Sequence, residues 1–206
     1  MIISDSLTKN FTPIMKADII TRPGANPEKI QKFLEQNRNL LRNYTVVLMH
    51  FGTTWLSAKS EWELYLKLVN GIINQDQYDT QLIRLNPPHA TGPPEKFRDQ
   101  YQKVIEFVRS VNKDAIILVS SILPRPWDHQ RRHSVRISYN KILQEFNNPS
   151  AKVYFIPSYK PFFGPSASLK TELFNPDGIH LSEKGSVVLR SFFCEKIDRA
   201  KKGRLK

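Results

Sequence analysis

Short, unbroken apolar runs recur along this chain at intervals long enough to hold a helix. Residues 45–50 (TVVLMH) and 115–119 (AIILV) contain no charged side chain, and 152–156 (KVYFI) is nearly as apolar. A strand with one wet face alternates apolar and polar residues, whereas a continuous β-branched run is the pattern of a strand buried on both faces. Ile2-Ile3 and residues 17–21 (ADIIT) read as two shorter strands, which brings the expected number to five. Helical spacing fills the gaps. Asn26 is a cap with Pro27 at the first helical position, and Ile30, Phe33, Leu34 and Leu41 mark one face. Residues 61–73 read as helical, Phe97, Tyr101, Val104, Ile105 and Val108 mark another helix, and Val135, Tyr139, Ile142, Leu143 and Phe146 a further one. A closing helix is expected from Glu183 to about Ala200, and residues 75–94, with Pro87-Pro88 and Pro93-Pro94, read as a surface excursion. Strands and helices in this alternation require right-handed crossovers and a parallel sheet covered on both faces. The expected fold class is α/β, a three-layer α/β/α sandwich with a flavodoxin-like, five-stranded parallel sheet.

A chain of 206 residues, 40% hydrophobic and 24% charged, has enough apolar side chains for one real core, which excludes collagen-like, disordered and disulfide-scaffold classes. The expected domain spans residues 1–195, followed by a basic tail at 196–206. The opening residues, Met1 to Asp5, lack the basic and long apolar regions of a signal peptide, and no run is long enough to span a membrane. An intracellular location, cytoplasmic or nuclear, is expected, in keeping with a single cysteine, Cys194.

Thirty-one Lys and Arg against nineteen Asp and Glu give a net charge of +12, which raises the question of a polyanionic partner such as nucleic acid. Lys196, Arg199, Lys201, Lys202, Arg204 and Lys206 crowd the C-terminal segment against Asp198 alone. Arg125, Arg131, Arg132 and Arg136 form a second cluster with His129 and His133 among them. A solvated, frayed helix end accounts for the first cluster more simply than dedicated nucleic-acid binding, because cations also complement a helix C-terminus.

In open α/β sheets ligands bind beyond the carboxyl ends of the strands. The residues expected there are Asp5-Ser6, then Pro23-Gly24-Ala25, then Gly52-Thr53-Thr54, then Leu123-Pro124-Arg125, and finally Asp177-Gly178-Ile179-His180. A serine leaving a strand can present its hydroxyl but needs a base, which His180 can be, and Asp177 three residues earlier can hold the other ring nitrogen. The backbone N–H groups of Ser6 and Gly24 are candidate oxyanion donors. Each piece has an ordinary reading too: a common dipeptide, a helix-capping turn, a turn glycine. Their occurrence together, in this order and on matching strand ends, is what favours the catalytic one.

In that order the residues resemble the SGNH, or GDSL-type, hydrolases over essentially the whole chain. Ser4-Asp5-Ser6 matches the first block (Gly-Asp-Ser in the family), Arg22-Pro23-Gly24-Ala25 the second, Gly52-Thr53-Thr54-Trp55 the third (Gly-x-Asn-Asp), and Asp177 to Gly185 the fifth. The resemblance implies Ser6 as nucleophile, His180 as base, Asp177 as its orienting acid and Gly24 as an oxyanion donor, with no cofactor. Two departures stand out. Ser4 replaces a glycine, and Thr54 replaces the asparagine whose amide serves the oxyanion, a loss that typically costs about a hundred- to thousandfold in rate. Arg22 to Ala25 and Ser120 to Arg125 also resemble the SGNH domains of animal retrotransposon reading frames, which travel with nucleic-acid-binding segments.

The remaining residues are less telling. Four-residue spacing of His129 and His133 suits a metal on a helix, but a third ligand is lacking and no metal is expected. Arg125 should border the pocket and is a candidate contact for an anionic group on a substrate. Trp55 and Phe163 are placed by position as pocket rim, and His50 as a core or pocket-wall histidine. Two readings follow. The first is a serine hydrolase acting on a small acyl or acetyl ester. The second is a weak or inactive module of the same fold that binds nucleic acid or a protein partner through the basic tail and the Arg131 and Arg132 region.

Overall fold

Hydrogen-bonded pairing of the apolar runs builds the sheet in a computed structural model that describes residues 1–12, 14, 17–56, 59–85, 93–126, 128 and 130–205, the backbone alone at 59 and 130–132. The strands are β1 (Ile2–Ser4), β2 (Ile19–Thr21), β3 (Val46–His50), β4 (Ile116–Ser120) and β5 (Val153–Ile156). All pairings are parallel, in the order β2-β1-β3-β4-β5. The helices are α1 (Pro27–Gln36), α2 (Lys59–Val69), α3 (Gln75–Leu85), α4 (Pro94–Val111), α5 (Gln130–Glu145) and α6 (Glu183–Lys201).

Period-two alternation divides the core between the two faces of the sheet. Ile3, Val47, Met49, Ile117 and Val119 pack against Ile30 and Leu34 of α1, Phe97, Tyr101 and Val104 of α4, and Tyr139 and Leu143 of α5. Ile2, Val46, Leu48 and Leu118 point the other way, against Leu189, Phe193 and Ile197 of α6 and the Phe162 and Phe174 turns. These are the three expected layers. The order also places the topological switch between β1 and β3, where connections leave in opposite directions and open a crevice at the strand ends.

Several boundaries differ from expectation. Within the expected surface excursion, residues 75–85 form a helix of their own, α3, packed on α2 with Tyr78 buried. Of its other large apolar side chains Leu82 is half-buried while Ile83 and Leu85 are exposed, so the pattern that announces a helix against a core is missing. Pro87-Pro88, His89, Trp127 and His129 lie outside the described residues, as do the side chains of Arg131 and Arg132. Helix α2 stops at Val69, four residues short of the expected Ile73, with Gly71 in the left-handed region at φ +68°. In the described part of the basic C-terminal segment, up to Leu205, Arg204 N–H donates to the Arg199 carbonyl at 2.8 Å, and Leu205 packs against the α6-side core. Among the described residues no helix is long and apolar enough to cross a membrane, and no three His, Cys, Asp or Glu converge as metal ligands.

Candidate active site

Asp5 shapes the turn that carries Ser6. Its Oδ1 accepts from Leu7 N–H at 3.1 Å and so caps the single 3-10 turn Ser6–Thr8. The turn is anchored sideways, where the Thr8 and Thr21 hydroxyls meet at 2.9 Å, and below, where Asp5 N–H donates to the His50 carbonyl at 3.2 Å. Full burial pushes the Asp5 carboxyl up to about 6, against the pull of the Leu7 N–H and of Thr53, whose hydroxyl and N–H face it.

A second turn brings His180 to the same place. Asp177 Oδ1 accepts from the N–H groups of Ile179 and His180 at 3.0 and 2.9 Å, and Asn175 N–H donates to the His180 carbonyl at 2.8 Å. Gly178 supplies the left-handed residue, φ +67°, that closes this loop. The loop is clamped onto the start of α6, where Ser182 caps Gly185 N–H at 3.2 Å and its own N–H donates to the Leu173 carbonyl at 3.0 Å. A Cβ on Gly185 would stand 1.9 Å from that Leu173 oxygen, so only glycine permits the contact.

Between the turns, the other Asp177 oxygen, Oδ2, lies 2.6 Å from His180 Nδ1, and His180 Nε2 lies 3.1 Å from Ser6 Oγ. Partial burial raises the Asp177 pKa, but the bonds from Ile179, the His180 ring and the His180 N–H outweigh it and hold the carboxyl below its usual range. Asp177 is therefore ionised at neutral pH, positioned to keep a proton on Nδ1 and leave Nε2 free to accept. All three side chains are partly exposed, open to a ligand.

The remaining predicted residues are placed unevenly. Gly24 follows β2 with φ +67° and open space where a Cβ would be, so its backbone conformation is what calls for glycine. Thr54 follows β3 beside it and donates its hydroxyl to the Ala25 carbonyl at 3.3 Å, which links the two loops. Arg125 is buried, and its Nε and Nη2 reach Asp128 Oδ1 at 2.8 and 2.5 Å. Trp55 is buried at 4% exposure among Phe97 and Tyr139, so it belongs to the core and not to a pocket rim. Sequence reasoning placed Thr53 at the strand ends without its contact with Asp5, and missed Tyr65 of α2, whose pKa is raised by burial and then by the charge of Asp177. Thr53 occupies the unspecified position of its block and Tyr65 lies in no motif, so only the folded proximity reveals these contacts.

No family model and no curated protein sequence matches the chain. Solved structures do. A lipolytic protein of the G-D-S-L family from Veillonella parvula aligns over 96% of this chain and 97% of its own at a TM-score of 0.65 and 12% identity. An acylhydrolase from Bacteroides fragilis aligns over 96% and 85% at 0.62 and 15%. A carbohydrate esterase of family 3 from Talaromyces cellulolyticus aligns over 98% and 97% at 0.59 and 13%. At such identities the likeness is one of architecture, and it is the architecture expected from the sequence blocks. The chain carries the fold of the SGNH, or GDSL-type, lipases and acylhydrolases.

Proposed function

We propose that this protein is a serine ester hydrolase acting on a small acyl or acetyl ester. Ser6 Oγ attacks the ester carbonyl while its proton passes to His180 Nε2, and Asp177 stabilises the resulting imidazolium through Nδ1. The tetrahedral oxyanion is held by the N–H groups of Ser6 and Gly24, with Thr54 where a stronger amide donor would serve. Collapse expels the alcohol, which takes the proton from His180, and leaves Ser6 acylated. Water then attacks the acyl-enzyme, giving a proton to His180, and as the second tetrahedral intermediate collapses His180 returns that proton to Ser6 Oγ, releasing the acid and free Ser6. No cofactor takes part. The single observation that carries this reading is the continuous Ser6–His180–Asp177 contact at 3.1 and 2.6 Å. Arg125, neutralised by Asp128, is proposed to shape the pocket wall and to meet an anionic substrate group only if that pair opens. An intracellular setting is part of the proposal, supported by the lone Cys194.

A second reading, a catalytically weak module that binds nucleic acid or a protein partner, is favoured by two features. The Thr54 hydroxyl is turned to the Ala25 carbonyl, and the C-terminal end of α6 gathers Lys196, Arg199, Lys201, Lys202 and Arg204. The test between them is release of p-nitrophenol from acetyl and butyryl esters by native protein and by Ser6→Ala. Turnover abolished by Ser6→Ala supports the hydrolase. Turnover equal in both, together with salt-sensitive binding of single-stranded nucleic acid, supports the module.

A further inference from the structure

The side chains that the sheet presents to α6 change character at the C-terminal edge. One row in from the edge they are Ile2, Leu48 and Leu118, all within the apolar core. At the edge they are Ser4, His50 and Ser120, equally buried. Three polar groups buried together cost free energy unless they are bonded, so the row calls for a reason.

Most of the row is bonded in a chain. His50 Nδ1 lies 2.9 Å from Ser120 Oγ, which lies 2.7 Å from Ser158 Oγ. Ser158 Oγ lies 2.9 Å from Ser121 Oγ and 3.0 Å from the Ser121 carbonyl, and Tyr159 N–H donates to Ser121 Oγ at 3.1 Å. Two buried atoms at the other end, Ser4 Oγ and His50 Nε2, have no partner among the described residues. Ser4 and His50 are register partners on neighbouring parallel strands, whose axes run about 4.8 Å apart, and their side chains share one face. Burial drives the His50 pKa down to about 3, so the ring is neutral and one of its nitrogens is a bare acceptor.

Counting protons fixes which one. If Ser158 donates to the Ser121 carbonyl, Ser120 donates to Ser158 and His50 Nδ1–H donates to Ser120, Nε2 is left as a bare acceptor on the side of Ser4, whose O–H can reach it through one water. In the opposite direction the chain ends on a buried Ser4 O–H with nothing to receive it, the costlier orphan. We infer that Ser4 and His50 form a buried positioning pair for the active site, bridged by one bound water that accepts from Ser4 O–H and donates to His50 Nε2, with His50 in the Nδ1–H tautomer.

The pair rests on the hydrolase reading for its purpose. Ser4 and Ser6 are two residues apart, and the His50 carbonyl already holds Asp5 N–H at 3.2 Å. A water-bridged link from Ser4 to His50 would pin the end of β1 to β3 from a second direction, and with it the point from which Ser6 Oγ faces His180. Placement errors well under an ångström are enough to slow a nucleophile. Ser4, the residue that departs from the family glycine, then has a positive role as the donor that starts the chain.

Nitrogen-15 NMR of histidine-labelled full-length protein, with His50 assigned by His50→Gln, tests the pair. The expected spectrum has a protonated Nδ1 and a bare, hydrogen-bonded Nε2. Ser4→Ala should move the Nε2 signal toward that of an unbonded ring nitrogen. It should also lower the rate constant of fluorophosphonate labelling at saturating probe by about fivefold, the worth of one hydrogen bond, with half-saturation unchanged. A proton on Nε2 in the native protein, or ring signals indifferent to Ser4→Ala, overturns the pair. Native protein that takes no label defeats the hydrolase reading instead, and the ring signals decide the pair by themselves.

Discussion

Ser6 Oγ and His180 Nε2 stand 3.1 Å apart although 174 residues separate them in the chain. Each arrives on a turn organised by its own aspartate: Asp5 caps the turn of Ser6, and Asp177 both shapes the loop of His180 and binds its ring. The sheet makes the two turns meet, because one leaves β1 at the switch point and the other precedes the helix that covers the same strand ends.

The role of Asp177 is separable from its contribution to shape. Asp177→Asn keeps an oxygen for the Ile179 and His180 N–H groups but presents an amide to Nδ1, which favours the wrong tautomer. We expect ester turnover to fall by about a thousand- to ten-thousandfold with KM little changed. Steady-state kinetics on a p-nitrophenyl ester measures this, and a loss below tenfold would remove Asp177 from the mechanism.

Thr54 sets the rate on this account. Its hydroxyl proton is directed at the Ala25 carbonyl and is not free for an oxyanion. Thr54→Asn should raise kcat by roughly ten- to a hundredfold, part of what one such donor is generally worth. An unchanged or lower kcat in a folded variant would mean that the oxyanion is served from elsewhere.

Two buried groups should tilt stability with pH in opposite directions. The Asp5 carboxyl, about 6 when folded against 3.8 as its ordinary value, makes the folded state bind more protons between those values, so stability falls as pH rises through that window. A shift of this size is worth roughly 3 kcal/mol. His50, about 3 when folded against 6.5, makes the unfolded state bind more protons, so stability rises over its window. In native protein the two slopes offset each other between about pH 4 and 6. Thermal melts across this range should climb more steeply with pH in Asp5→Asn than in native protein, and less steeply in His50→Gln. Parallel profiles for all three would show that neither group titrates as its burial demands.

Gly185 holds the His180 loop against α6. A Cβ there would stand 1.9 Å from the Leu173 oxygen, backbone that cannot step aside, so Gly185→Ala should cost about 3 kcal/mol in chemical denaturation. Labelling of Ser6 should weaken in the fraction that stays folded. A neutral substitution would show that the loop and helix are not clamped as described.

Legibility in the sequence followed burial. The three runs 45–50, 115–119 and 152–156 became β3, β4 and β5 nearly residue for residue, because β3 and β4 are buried on both faces and polar only at their last residue, and β5, though an edge strand half-buried at Tyr154 and Phe155, is apolar throughout. The amphipathic spacing of Phe97, Tyr101, Val104 and Val108 found α4 for the same reason. Helix α3 was hidden because it buries only Tyr78 among its large apolar residues and rests on α2, not on the sheet. At the candidate site, the meeting of Ser6, His180 and Asp177 could be expected because the three residues lie in two short motifs. The burial of Trp55, the ion pair of Arg125 with Asp128 and the polar row of Ser4, His50 and Ser120 depend on which strand lies beside which, and spacing along one chain does not encode that.

The central claim is that Ser6 is an activated nucleophile. Reaction of folded native protein with a fluorophosphonate probe, followed by mass spectrometry of the adduct, tests it most directly. The account predicts one adduct, on Ser6, lost in Ser6→Ala and slowed at least a hundredfold in His180→Gln, the usual worth of a general base. Native protein that stays unlabelled, or label carried on another residue and retained in Ser6→Ala, would contradict it.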